Sequence, residues 1–186
     1  MIIAHLPAGY IIGRLLEKIE SSAIRQKRIM QVSLIGSVLP DLDMLYFYWV
    51  DRTSDHHLFV SHIPAYYCTL LPLVILGRVF SSFRYIGNLA LTLWVSLMVH
   101  AVLDTVVSGI LWMFPFVEAV EENLIHIVDK DAIPRIVDPY KVYFELFGMK
   151  LEGWVLNVLL HWSSVFEYLI VGVACYLLFK RRRSSL

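Results

Sequence analysis

A helix that crosses the hydrocarbon core of a bilayer, about 30 Å thick, needs roughly 20 largely apolar residues. Four stretches of this chain meet that demand, residues 30–50, 63–79, 86–114 and 154–179, and a fifth, residues 1–16, has the length of a short or half-inserted helix. Pro64 falls where a helix start tolerates proline. Only 17% of the 186 residues are charged and 58% are hydrophobic, the balance of a membrane protein rather than of a soluble domain. The spacing predicts an all-α fold, a polytopic bundle of four transmembrane helices plus the short N-terminal apolar helix, in one membrane-embedded domain over residues 1–186.

Charge is segregated along the chain. Lys and Arg number 16 and Asp and Glu 16, so no basic excess points to nucleic acid. Arg14, Lys18, Arg25, Lys27 and Arg28 precede or fill the first connection, Arg78 and Arg84 the third, and Lys180, Arg181, Arg182 and Arg183 lie near the C-terminus. If the spans alternate, all three basic groups share one side, which the positive-inside rule makes cytoplasmic. The segment 117–153, with eight acidic residues against four basic ones, then faces outward. Pro134 and Pro139 suit a loop with interfacial helices there, and Tyr140, Tyr143, Phe144 and Phe147 suit the headgroup region. The expected topology is multi-pass with a cytoplasmic C-terminus. Cys68 and Cys175 lie in apolar runs and give neither a disulfide framework nor a thiolate motif. No removable signal peptide or lipidation motif is legible.

Ionisable side chains inside membrane spans cost about 2.5 to 3.5 kcal/mol for Asp on insertion scales, so each needs a reason. This chain has many: His5 in the first apolar stretch, Asp41 and Asp43 in the next, His100 and Asp104 in the third long one, and His161 and Glu167 in the last, with His56, His57 and His62 in and after the short outer loop. At 1.5 Å per residue, Asp41 and Asp43 lie roughly 10 to 14 Å from the outer end of their span, and His161 reaches a similar depth in its own. His100, Asp104 and His5 also fall in the outer half. Scattered structural polar groups have no reason to share one level, so the convergence points to a common site.

His100 and Asp104 are four apart and project from one helix face, as a ligand pair or as a ligand with its supporting partner. As an isolated pair they could equally be a packed hydrogen-bonded couple. Pro40, in a span that also holds Gly36, predicts a kink that turns Asp41 and Asp43 toward a cavity, although Pro-Asp can also be a helix restart with Asp as its cap. Mixed imidazole and carboxylate donors suit Zn²⁺, Mn²⁺ or Fe²⁺ better than Ca²⁺ or Cu⁺.

Four motifs occur in order: His5-Leu6-Pro7-Ala8-Gly9, the run 36–43 with its Leu39-Pro40-Asp41-Leu42-Asp43 core, the run 55–62 with His56, His57 and His62, and His100-Ala101-Val102-Leu103-Asp104-Thr105 followed by Gly109 and residues 112–116. In these the chain resembles the YdjM-like family of inner-membrane metal-dependent hydrolases, over about residues 1–116. The resemblance implies a helical membrane protein with an active-site metal, and a distant similarity to the zinc-dependent phospholipase C and P1 nuclease fold, whose sites use His-x-x-x-Asp pairs. The metal ligands it implies are His5, Asp41, His57, His62, His100 and Asp104, with His56 and Asp43 as second choices; His161 joins the candidates on its depth. Where the family pattern often has a basic residue after the second loop histidine, this chain has Leu58, so one candidate for binding a phosphate is missing.

These readings lead to a hydrolase in which one to three divalent ions, zinc first among them, activate water against a lipid or lipid-linked phosphoester, with Asp43 or Glu167 as general base. The bilayer and such a lipid are the expected partners. Two other classes fit the same residues: a small metal-ion or proton-coupled transporter, and a membrane protein whose metal only holds the bundle together.

Overall fold

The computed structural model describes residues 3–50, 59–107, 110–112, 114, 124–125, 144–146, 149–151 and 164–184. In chain order the helices are α1 (His5–Leu16), α2 (Ala23–Gly36), α3 (Asp43–Trp49), α4 (Pro64–Tyr67), α5 (Leu71–Val79), α6 (Arg84–Val107) and α7 (Ser164–Ser184). Short 3-10 turns at Glu17–Ile19, Pro40–Leu42, Val60–His62, Cys68–Leu70 and Ser81–Phe83 join them. Two minimal antiparallel ladders accompany the helices, Ile110–Leu111 with Leu124–Ile125 and Phe144–Leu146 with Met149–Leu151. The described residues are thus mostly helical, as the hydrophobic pattern requires.

The helices differ from the expected spans in length. Among the described residues one helix, Ser81–Val106 with its opening turn, is long and apolar enough to cross a membrane. The expected span over residues 30–50 is divided: α2 ends at Gly36 and the chain turns through Pro40–Leu42 before α3. Proline has no N–H for the helical ladder, and its ring crowds the preceding turn. The second expected span is a 16-residue apolar helix over Pro64–Val79, with a 3-10 turn at its centre. Upstream, α2 begins at Ala23, inside the basic connection. The expected interfacial helices of 117–153 lie mostly outside the described residues; the described parts are strands.

Small residues set the packing. α1 lies on α2, both lie on α6, and α5 lies on the other flank of α6. A Cβ at Gly9 would collide with the Ser37 side chain and come 2.9 Å from the Ser33 carbonyl, so only glycine lets α1 and α2 approach this closely. Gly77 and Gly87 do the same for α5 and α6, since a Cβ on either would lie 2.6 to 2.7 Å from the other's Cα. Such contacts drive helix association where lipid removes the hydrophobic incentive.

One face of α6 is polar from end to end. Asn88, Thr92, Ser96, His100 and Asp104 recur every four residues and are all buried. At one end Asn88 donates to Glu20 Oε1 at 2.8 Å; Thr92 and Ser96 donate to the carbonyls four residues back, and Ser96 Oγ lies 3.1 Å from Ser33 Oγ of α2. Each hydroxyl is satisfied without water, as an apolar surrounding demands. The stripe ends at the ionisable pair His100 and Asp104.

Candidate metal centre

Three chain segments bring four donors to one point. α6 contributes His100 and Asp104, which its 3.6-residue repeat stacks one turn apart, with Nε2 to Oδ2 at 3.0 Å. The turn at Pro40–Leu42 contributes Asp41, whose Oδ1 lies 3.6 Å from His100 Nε2 and 3.7 Å from His62 Nε2. The turn Val60–His62, stopped by the extended Ile63 that Pro64 imposes, contributes His62, whose Nε2 is 3.7 Å from Asp104 Oδ2 and 3.4 Å from His100 Nε2. One donor atom from each of Asp41, His62, His100 and Asp104 falls within 4.8 Å of the others.

The outer hydrogen bonds fix what these rings present. His100 Nδ1 donates to the Ser37 carbonyl at 2.8 Å, and His62 Nδ1 to Asp43 Oδ2 at 2.8 Å. A carbonyl and a carboxylate can only accept, so each Nδ1 carries hydrogen and each Nε2 turns toward its neighbour. This is the support that metal-ligating histidines receive, from a backbone carbonyl in one case and a carboxylate in the other. Ser61 also donates to Asp43 Oδ2, and Tyr67 OH donates to the Ser61 carbonyl at 2.5 Å, which ties the turn carrying His62 to α4.

Four lone-pair donors this close require positive charge between them. Ligands held about 2.0 to 2.2 Å from a tetrahedral zinc stand about 3.3 to 3.6 Å apart. Five of the six separations run from 3.0 to 3.7 Å and all lie within 4.8 Å, so the donor set has the chemistry and about the size to hold such an ion. A proton can serve in its place: burial disfavours charge on His62, but the carboxylates of Asp41 and Asp43 outweigh it and hold its pKa up to about 9. The site is closed on most sides, with His62, His100 and Asp104 buried, whereas Asp41 is 32% exposed and forms the open edge. The turn that carries Asp41 and the helix after it bear exposed apolar or aromatic side chains, Leu42, Leu45, Tyr46 and Trp49.

The expected site residues fall into distinct places. Asp41, His62, His100 and Asp104 form the cluster. His5 lies beside it, its ring 4.1 Å from that of His100, with Nε2 3.1 Å from Asp104 Oδ1 and Nδ1 3.9 Å from Asp41 Oδ2. It faces the carboxylate oxygens turned away from the other two histidines. Asp43 supports His62 rather than joining the four donors, because residues 41 and 43 point apart even after the helix is broken at Pro40. Glu167 meets backbone: its Oε2 accepts the N–H groups of Ile3 at 2.7 Å and Ala4 at 3.2 Å. His56, His57 and His161 lie outside the described residues.

Sequence reasoning missed Ser37, Ser61 and Tyr67. Nothing marks a backbone carbonyl as a histidine's partner, and the one signal for Ser61, which donates to Asp43, is that it immediately precedes His62.

A family model described as YdjM inner membrane protein matches residues 1–183. No curated protein and no solved structure matches the chain.

Proposed function

Since the chain belongs to the YdjM inner membrane protein family, we propose that it is a membrane-bound metal-dependent hydrolase acting on a phosphoester of a lipid or lipid-linked substrate. The observation that carries this reading is the cluster of Asp41, His62, His100 and Asp104, closed on three donors and open at the fourth. Zinc is the first choice among the metals, because imidazole and carboxylate donors at these separations suit its size and tetrahedral preference. Bound there, a divalent ion supplies the charge that polarises a phosphoester oxygen and acidifies water. The His100–Asp104 pair on one helix supports a distant kinship with the zinc-dependent phospholipase C and P1 nuclease fold.

The residues have separate tasks in this reading. Asp43 and the Ser37 carbonyl hold the two imidazoles in the tautomer that offers Nε2. Asp43 Oδ1 is buried without a hydrogen-bond partner among the described residues, which makes it the candidate to receive a proton. Asp41, as the exposed donor, is the one whose place a substrate oxygen can share. The exposed apolar side chains of the turn and helix that carry it favour a substrate with hydrocarbon chains that stays in the bilayer, and the basic clusters favour a site toward the outer face.

A second reading has its own support: four protein donors within 4.8 Å of one another also describe a metal that only fastens α6 to the two turns. Purified protein loaded with zinc and presented with a panel of phosphoester lipids separates the two. Release of headgroup or phosphate that disappears on chelation supports the hydrolase, whereas stoichiometric zinc with no turnover across the panel supports the structural metal.

A further inference from the structure

Helix α1 starts at His5, and its N-cap is Ala4, whose methyl group can satisfy none of the free N–H groups of a first turn. The missing acceptor comes from the other end of the chain. Glu167, in the first turn of α7 and 4% exposed, places Oε2 2.7 Å from the Ile3 nitrogen and 3.2 Å from the Ala4 nitrogen. A carboxylate suits this end of a helix, where the aligned peptide dipoles leave partial positive charge. In apolar surroundings no water stands ready to replace it. Around the same junction Ile170 of α7 packs on Ala4, Ala8 and Leu103, and Leu103 precedes Asp104.

The next residue after the clamped pair is His5. Its ring is 3% exposed, lies against His100 and sets Nε2 3.1 Å from Asp104 Oδ1. The backbone that Glu167 grips is therefore one residue from a side chain bearing on three of the four donors, His100, Asp104 and, at 3.9 Å, Asp41. We propose that Glu167 is a positioning residue of the metal centre: by capping α1 from α7 it holds His5 against Asp104 and His100, and so sets how Asp104 meets the metal. This rests on the metal-centre reading above, though not on hydrolysis. A carboxylate that merely fastened α7 to α1 would affect folding and leave metal affinity independent of His5.

Cobalt(II) titrated into the full-length protein in detergent, followed by its visible absorption and by competition with a chelator, distinguishes these cases. Glu167→Ala should weaken cobalt binding by about tenfold or more, the scale of losing an outer support of a ligand, and alter the visible band. Glu167→Gln keeps an acceptor oxygen and should stay within about threefold of wild type. Ile3→Pro removes the nearer N–H donor from the opposite partner and should weaken binding in the same direction, so it replaces Glu167→Ala if that variant fails to fold. In a His5→Ala background either change should add less than about twofold, because the coupled partner is already gone. Equal losses in both backgrounds, or unchanged cobalt binding in Glu167→Ala, would overturn the proposal. Wild-type protein that binds no cobalt would instead remove the metal-centre reading itself, and this inference with it.

Discussion

The Nε2 atoms of His62 and His100 stand 3.4 Å apart, and each ring has its Nδ1 engaged, by Asp43 in one case and by the Ser37 carbonyl in the other. Two imidazoles brought nose to nose are unstable alone; with Asp41 and Asp104 beside them, they are stable around a cation.

Removing a donor should matter more than removing its support. His100→Ala takes one of four donors and should lower zinc affinity by well over the tenfold to hundredfold, approximately, that an outer support contributes, while Asp43→Asn should fall within that range. Equilibrium dialysis against buffered zinc measures both. Equal, small losses in the two variants would show that neither ring meets the metal.

The proton on His62 gives a pH dependence with a definite sign. Its pKa in the metal-free fold is held up to about 9 against an ordinary 6.5, so protonation stabilises the metal-free protein fully below about 6.5. That contribution disappears as pH rises through about 9. Zinc needs the same Nε2 unprotonated, so its binding should strengthen over the same interval. Thermal midpoints in detergent at both ends of the interval should therefore fall without metal, while the increment from buffered zinc grows. A metal-free midpoint that rises across the interval would contradict the carboxylate contacts of His62.

Orientation is open to a direct test. The basic residues near 14–28, 78–84 and 180–183 predict a cytoplasmic C-terminus and an outward segment 117–153. A C-terminal alkaline phosphatase fusion should be inactive and a fluorescent-protein fusion bright. An active phosphatase fusion would place the site on the opposite face.

Much of the centre is legible in the sequence because its parts obey local rules. The four-residue spacing of His100 and Asp104 is helical geometry, and Pro40 announces the break that frees Asp41. His62 stands directly before the extended residue that Pro64 requires. A rise of 1.5 Å per residue sets His5, Asp41, His100 and Asp104 at similar expected depths before any contact is known. What escapes is tertiary. That Asp43 serves His62 instead of standing with Asp41 depends on how two turns meet. That Glu167 caps α1 depends on a contact across 163 residues. Helix lengths escape as well, since hydropathy does not register the breaks at Pro40 and at Cys68–Leu70. The polar stripe of Asn88, Thr92 and Ser96 was visible as a four-residue repeat but is lost in a reading that attends only to ionisable residues.

The decisive variant for function is Asp104→Asn. Asn keeps the shape and one carbonyl oxygen, so α6 and its packing should persist, but the neutral amide weakens both the metal and the water it acidifies. If the protein is a hydrolase, lipid phosphoesterase turnover should fall by at least about a hundredfold while the thermal midpoint changes little. If the metal only fastens the turns to α6, the same change should chiefly lower the midpoint, because metal-binding free energy is then folding free energy. Asp104 is the sharper choice than Asp41 because it is buried and touches His5, His62 and His100 together, so no water can take over its oxygen. Asp104→Asn protein with wild-type zinc content and full activity would take Asp104 out of the site, and with it the hydrolase built on that carboxylate.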